Sequence, residues 1–241
     1  AVDTPVIAGG GDQAAQAVGC GIVHEGMVSA TLGTSGVVFA QSDQYRVEPE
    51  GKLHAFCHAV PGKWHLMGVM LSAAGSFQWY KNQLGKEEQV REESGEGNAY
   101  DLLTQSATTV DPGCEGLVFL PYLSGERTPY PDPHARGAFV GMTLRHSKAH
   151  LTRAVLEGVS YGLKDSLSLM QELGIRPSKI ILSGGGARSE LWKQMLADIF
   201  ETSCCLVNAT EGAAYGAALL AAVGCGSLPS VEDASREWIR E

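Results

Sequence analysis

A short β-rich run at 179–182 enters Ser183-Gly184-Gly185-Gly186, and Ser189 then caps a helix with Leu191, Trp192, Met195, Leu196, Ile199 and Phe200 on one face. No other stretch constrains the fold as much. A strand that feeds an amphipathic helix through three glycines must lay that helix back on the sheet that holds the strand. Glycine is what lets the chain turn sharply there and lets other groups approach the backbone.

The same alternation recurs along the chain. Residues 6–8 read as an apolar strand that runs into Gly9-Gly10-Gly11, and Asp12 opens an Ala-rich helix to about 18. Two β-rich runs, 28–32 and 37–40, flank Gly33-Thr34-Ser35-Gly36 as a hairpin. An apolar run at 64–70 precedes a helix over about 71–84. Residues 85–100 are charged and glycine-spotted, which predicts a solvated loop or a weak helix. A strand at 117–120 opens a Pro- and Gly-rich segment that lasts to 137. The strongest helix spans about 148–173: Leu151, Val155, Val159, Leu163 and Leu167 recur every four residues, and Gly174 and Pro177 stop it. A strand at 204–207 and a helix at 213–223 complete the pattern. The class is α/β, and 241 residues at 44% hydrophobic content suffice for one large domain or two small ones, the single domain being the natural expectation.

A formal charge of −9 argues against a general polyanion binder, so no nucleic-acid partner is expected. ATP stays compatible with that charge, because a few backbone N–H groups hold it locally. Six scattered cysteines without a CxxC pair read as reduced thiols of a cytoplasmic protein. No signal peptide is visible and no apolar run reaches membrane-spanning length, so no membrane partner is expected. The chain begins at Ala1 and soon enters an apolar run, the pattern expected in the middle of a longer protein.

Gly9-Gly10-Gly11-Asp12-Gln13-Ala14 formally matches the dinucleotide pattern GxGxxA. That reading needs an acidic residue about 20 positions further on. None lies between Glu25 and Asp43. Asp12 itself reads either as a helix N-cap or as a general base kept ionised by the helix N-terminus, and one residue can be both. The turn at 33–36 is either an ordinary hairpin or a set of N–H and O–H donors for phosphate oxygens. The turn at 183–187, between strand and helix, is the most specific of the three. His54, His58, His65 and Cys57 fit no zinc spacing well and read as structural. Arg127 either pairs with Glu126, pairs with a distant carboxylate or lines a cleft.

Together these segments resemble the FGGY carbohydrate kinases. Gly137-x-Phe139-x-Gly141-Met142, then seven residues, then His150-Leu151-x-x-Ala154-Val155-Leu156-Glu157 matches that family's second signature. The GGGDQ, LGTSG and SGGGARSELWKQ stretches fall where the family has its base, phosphate and adenosine segments. Within the family, the stretches beginning at His54 and Phe119 are most similar to xylulokinases. The resemblance implies a ribonuclease-H-like domain of the actin-like ATPase superfamily, with a mixed sheet flanked by helices. It makes 1–241 the C-terminal nucleotide-binding domain, with the N-terminal sugar-binding domain as its missing partner, and a homodimer is compatible with it.

The reaction it implies is ATP- and Mg2+-dependent phosphorylation of a sugar hydroxyl, D-xylulose to D-xylulose 5-phosphate. The alternatives are another member acting on gluconate, ribulose, rhamnulose or glycerol, or a non-catalytic actin-like nucleotide-binding module. The resemblance also implies the roles. Asp12 is the base, and Gln13 beside it touches the sugar. Gly33, Thr34 and Ser35 face the ATP phosphates. Gly184, Gly185, Gly186 and Ala187, with Ser189 and Glu190, line the adenine and ribose pocket. Without the other half the chain is expected to phosphorylate almost nothing.

Overall fold

Six strands form one mixed sheet in the order β3-β4-β2-β1-β7-β8. They are β1 (Met27–Leu32), β2 (Gly36–Ser42), β3 (His54–Cys57), β4 (Trp64–Met70), β7 (Lys179–Ser183) and β8 (Cys204–Cys205). β1 pairs antiparallel with β2 and parallel with β7, while β4 lies antiparallel between β2 and β3. Two short strands, β5 (Val118–Leu120) and β6 (Ala138–Val140), make a separate antiparallel pair. The helices are α1 (Asp12–Gly19), α2 (Ala74–Leu84), α3 (Lys86–Glu93), α4 (Ala99–Ala107), α5 (Lys148–Glu172), α6 (Glu190–Phe200), α7 (Gly212–Gly224) and α8 (Val231–Trp238). This computed structural model describes residues 3–209 and 212–241.

Strand alternation sorts the side chains into two layers. Val28, Ala30, Leu32, Ile180 and Leu182 face the helical layer built on α5, whose Val155, Val159, Leu163 and Leu167 are fully buried as their four-residue spacing predicts. Phe39, Val69 and Ile181 face the other way and pack with Ala17 of α1 and with Cys20, its C-cap. Trp192 of α6 is buried and donates its indole N–H to Ser160 Oγ of α5 at 3.0 Å. The Ser189 cap forms as expected, its Oγ accepting the Trp192 N–H at 3.3 Å.

Three expectations need correction. Residues 6–8 form no strand: Val6 is 95% exposed, and no neighbouring strand pairs with the segment among the described residues. Residues 85–100 hold α3 and the start of α4, so the weak-helix alternative is right for 86–93. Lys148 holds α3 by its ion pair with the buried Glu88, at 2.5 Å. α4 is capped by Asn98, whose Oδ1 accepts the Tyr100 N–H, and it buries Leu103 and Ala107. The strand expected at 204–207 shrinks to two residues. All six cysteines are free, and no helix among the described residues is long and apolar enough to cross a membrane.

His58 and His65 are structural, packed on Phe39 with ring centroids at 5.3 and 4.4 Å. His58 Nε2 donates to the Ile22 carbonyl at 3.0 Å while Nδ1 accepts the Val60 N–H at 3.2 Å, which uses the neutral ring completely. Burial pushes both imidazoles down from 6.5 to about 4. The unfolded chain therefore binds these protons more readily than the folded one. Their contribution is complete above about pH 6.5 and is lost as pH falls through 6.5 toward 4. Each histidine is expected to remove about 2 kcal/mol by pH 5. Urea unfolding of the chain at pH 7.5 and pH 5 checks this, and a His58→Gln variant should flatten the profile.

Candidate active site

One edge of the main sheet gathers the glycine turns. The pairing places Thr31 beside Ser183 and Gly36 beside both Leu32 and Met70, so β1, β4 and β7 end, and β2 begins, along the same edge. The turn at 33–35 is held from behind by the start of α2. Ala74 N–H donates to the Gly33 carbonyl at 2.9 Å, and Ala73 and Gly75 N–H donate to the Thr34 carbonyl at 2.9 and 3.1 Å. A trans peptide points its N–H opposite to its C=O. The amides of Thr34 and Ser35 therefore face away from α2, on an exposed turn. Gly75 allows the approach, since a Cβ there would lie 2.8 Å from the Thr34 oxygen.

The second turn rests on the first. Gly184 adopts φ +84°, and a Cβ there would lie 2.6 Å from the Leu32 carbonyl carbon and oxygen. Beyond it, 185–188 make one 3-10 turn before Ser189. Gly184 and Gly185 are exposed, whereas Gly186 and Ala187 are buried against Leu32 and the core. Ser189 is half-buried at its cap, and exposed Glu190 pairs with Lys193 at 2.7 Å.

Asp12 reaches this edge from the opposite layer. The N-cap is Gly11, not Asp12, which corrects the capping alternative. Asp12 is the first helical residue, exposed, and accepts the Gln13 N–H at 2.9 Å. The C-terminal end of α1 lies at the starting end of β1: Cys20, Met27 and Ile181 line one cavity of about 300 Å³ there. α1 therefore runs antiparallel to β1, and its N-terminus points to the edge that carries the turns. Gln16 fixes its register, donating from Nε2 to Thr31 Oγ1 at 2.8 Å and to Ser183 Oγ at 3.0 Å. Asp12 precedes Gln16 by four residues on the same helical face, about 6 Å further out. That directs it toward the strand ends that carry the turns. Gln13 sits beside it, half-buried.

Glu126 extends the edge toward β4. It is buried, and its Oε1 accepts the Leu71 N–H at 2.9 Å and the Arg127 N–H at 2.7 Å, which pins the proline-rich segment beside the Ser35 turn. Burial pushes its carboxyl above the usual range. Arg127 is exposed and forms no ion pair among the described residues. No three His, Cys, Asp or Glu side chains among those residues come together to hold a metal ion. Sequence reasoning missed the Gln16, Thr31 and Ser183 contacts. Thr31 and Ser183 are polar residues at the ends of apolar strands, which was the available signal.

A sequence model of the FGGY family of carbohydrate kinases, C-terminal domain, matches residues 28–225. The chain belongs to the FGGY family. It is 48% identical over 195 residues to the xylulose kinase of Escherichia coli (strain K12), covering 81% of this chain and 38% of that protein. To the xylulose kinase of Lactococcus lactis it is 40% identical over 238 residues, covering 98% of this chain and 45% of that one. The FGGY chain also superposes on the crystal structure of a xylulose kinase from Brucella ovis with a TM-score of 0.83 at 36% identity, covering 95% of this chain and 45% of that structure. It thus spans less than half the length of these relatives. The expected mixed sheet flanked by helices, in the actin-like ATPase fold of the FGGY kinases, is the fold observed.

Proposed function

We propose that this chain is the C-terminal nucleotide-binding domain of a cytoplasmic sugar kinase that transfers the γ-phosphoryl group of ATP to D-xylulose, giving D-xylulose 5-phosphate. The observation that carries the reading is the register of α1, set by Gln16 against Thr31 and Ser183, which aims its first residue, Asp12, toward two adjoining glycine turns, the first of which turns the Thr34 and Ser35 amides outward. Asp12 accepts the proton of the C5 hydroxyl, whose oxygen then attacks the γ-phosphorus as the bridging oxygen leaves with ADP. Gln13 touches the sugar. The amides of the 33–35 turn donate to phosphate oxygens, which is where a loose transition state spreads its charge. Gly184, Gly185, Gly186 and Ala187, with Ser189 and Glu190, line the adenosine side. Magnesium is expected with ATP, where phosphate oxygens supply much of its coordination, and no step is assigned to it. The xylulose kinases among its relatives support the choice of sugar, and six free thiols support the compartment. The amino-terminal half that those relatives possess is the partner that supplies the rest of the sugar site.

A panel of D-xylulose, gluconate, ribulose, rhamnulose and glycerol, tested on the full-length protein by sugar-dependent ADP release, is the direct check. D-xylulose is expected to give the highest kcat/KM, and the isolated 241 residues are expected to turn over almost none of it. A higher value for another sugar removes the xylulose assignment. ADP release that ignores every sugar removes the kinase reading.

A further inference from the structure

Gln16, Thr31 and Ser183 close a three-cornered polar ring beneath the two turns, with the Thr31 and Ser183 hydroxyl oxygens 2.9 Å apart. Its hydrogens can be counted. Gln16 Nε2 carries two and donates one to each hydroxyl oxygen. The two hydroxyls own two more, and one of these bridges the 2.9 Å gap. The other has no acceptor among the described residues. Turning the amide over does not remove the surplus comfortably. Oε1 would then accept from one or both hydroxyls, and with only two hydrogens for three contacts one pair of oxygen atoms would face each other at 2.8–3.0 Å with no hydrogen between them. The 2.9 Å contact therefore favours the amide as donor and leaves one O–H to spare. All three side chains are half-buried and partly open to solvent. Thr31 and Ser183 lie at the C-terminal ends of β1 and β7, two residues before Gly33 and one before Gly184.

We propose that this surplus hydroxyl proton is donated to a phosphate oxygen of the bound nucleotide, so that Thr31 and Ser183 are an anion-binding pair and Gln16 is the residue that positions them. The inference rests on the nucleotide reading above and adds a donor to it. The ring shares its hydrogens between the two oxygens, so removing a single hydroxyl leaves the other able to donate. The informative variants are Thr31→Val with Ser183→Ala, and Gln16→Glu. The glutamate accepts both hydroxyl hydrogens, consumes the spare one and adds a negative charge at the same place, with no change in side-chain size.

The test is titration of the full-length protein with ADP and, separately, with adenosine, which lacks the phosphates. Unaltered protein should bind both. The double variant and Gln16→Glu should each weaken ADP by about tenfold or more, the scale of a hydrogen bond to a charged group, and leave adenosine unchanged. Equal weakening of ADP and adenosine marks a merely structural ring and overturns the proposal, as does Gln16→Glu that binds ADP as tightly as the parent. Should that double variant fail to fold, Thr31→Ala with Ser183→Ala, which also removes both hydroxyls and adds no charge, takes its place, with its melting temperature as the control. Failure of the unaltered protein to bind ADP overturns the nucleotide reading itself, a result distinct from the other two.

Discussion

Asp12→Asn in the full-length protein is expected to lower kcat for sugar-dependent ADP release by about 10²- to 10⁴-fold, the usual contribution of a general base. The substitution isolates the chemistry. Asparagine has the shape of aspartate, and its amide oxygen still accepts the Gln13 N–H that the carboxylate accepts at 2.9 Å. Gly11 supplies the N-cap, so the helix does not depend on this side chain to begin. The melting temperature and the affinity for ADP should therefore stay at their parental values. What disappears is the capacity to take a proton from the attacking hydroxyl. Unchanged turnover would end the assignment of Asp12 as base while leaving the fold and the nucleotide turns untouched.

The second large effect is expected far from the chemistry, at Gly216. α1 and α7 meet backbone to backbone. A Cβ at Gly216 would overlap the Ala15 carbonyl and lie 2.8 Å from the Gly19 nitrogen, and a Cβ at Gly19 would overlap the Gly212 carbonyl. These neighbours are backbone atoms, which cannot swing aside as a flexible side chain can. Gly216→Val must force the two helices apart, and about 3 kcal/mol is a reasonable lower figure at the upper end of ordinary overpacking. In a chain of this length that corresponds to a fall in melting temperature of roughly 6–12 °C. Activity should fall further than the melt implies, because α1 carries Asp12 and a shift of about 1 Å can cost about a hundredfold. Gly185→Ala is the stability control, since its Cβ meets nothing within 4 Å. Equal melting temperatures for the two variants would show that the α1–α7 contact is looser than this geometry.

The parts of the fold legible in the sequence are those with local causes. The four-residue spacing of Val155 to Leu167, the Ser189 cap and the tight turn between β1 and β2 each declare themselves within a few residues, and each is present. Residues 6–8 have strand composition, but composition cannot supply a pairing partner, and Val6 stands exposed. The polar run at 86–93 holds helix-favouring residues with Glu87 and Glu88 in its first turn, and what the sequence could not show is the ion pair that ties it to Lys148, 60 positions away. α8 is a different case, since its start is marked locally: Ser230 Oγ accepts the Asp233 N–H at 3.0 Å, a cap readable from Ser230 and the acidic pair at 232–233. The site divides the same way. Glycines advertise the turns. The Gln16–Ser183 bond joins residues 167 positions apart, and nothing local to either residue announces it.

The anchoring of the Gly33 and Thr34 carbonyls to α2 has a kinetic and thermodynamic consequence. Hairpin tips of this composition ordinarily sample many shapes in water. Here the three bonds from Ala73, Ala74 and Gly75 settle the orientation of the outward amides during folding, before any nucleotide arrives. On the proposed nucleotide reading, capture of a phosphate group requires little further loss of chain freedom, so more of the gross attraction survives as affinity. The same stiffness ties the donors to the pose of α2, and a tilt of that helix would re-aim them together.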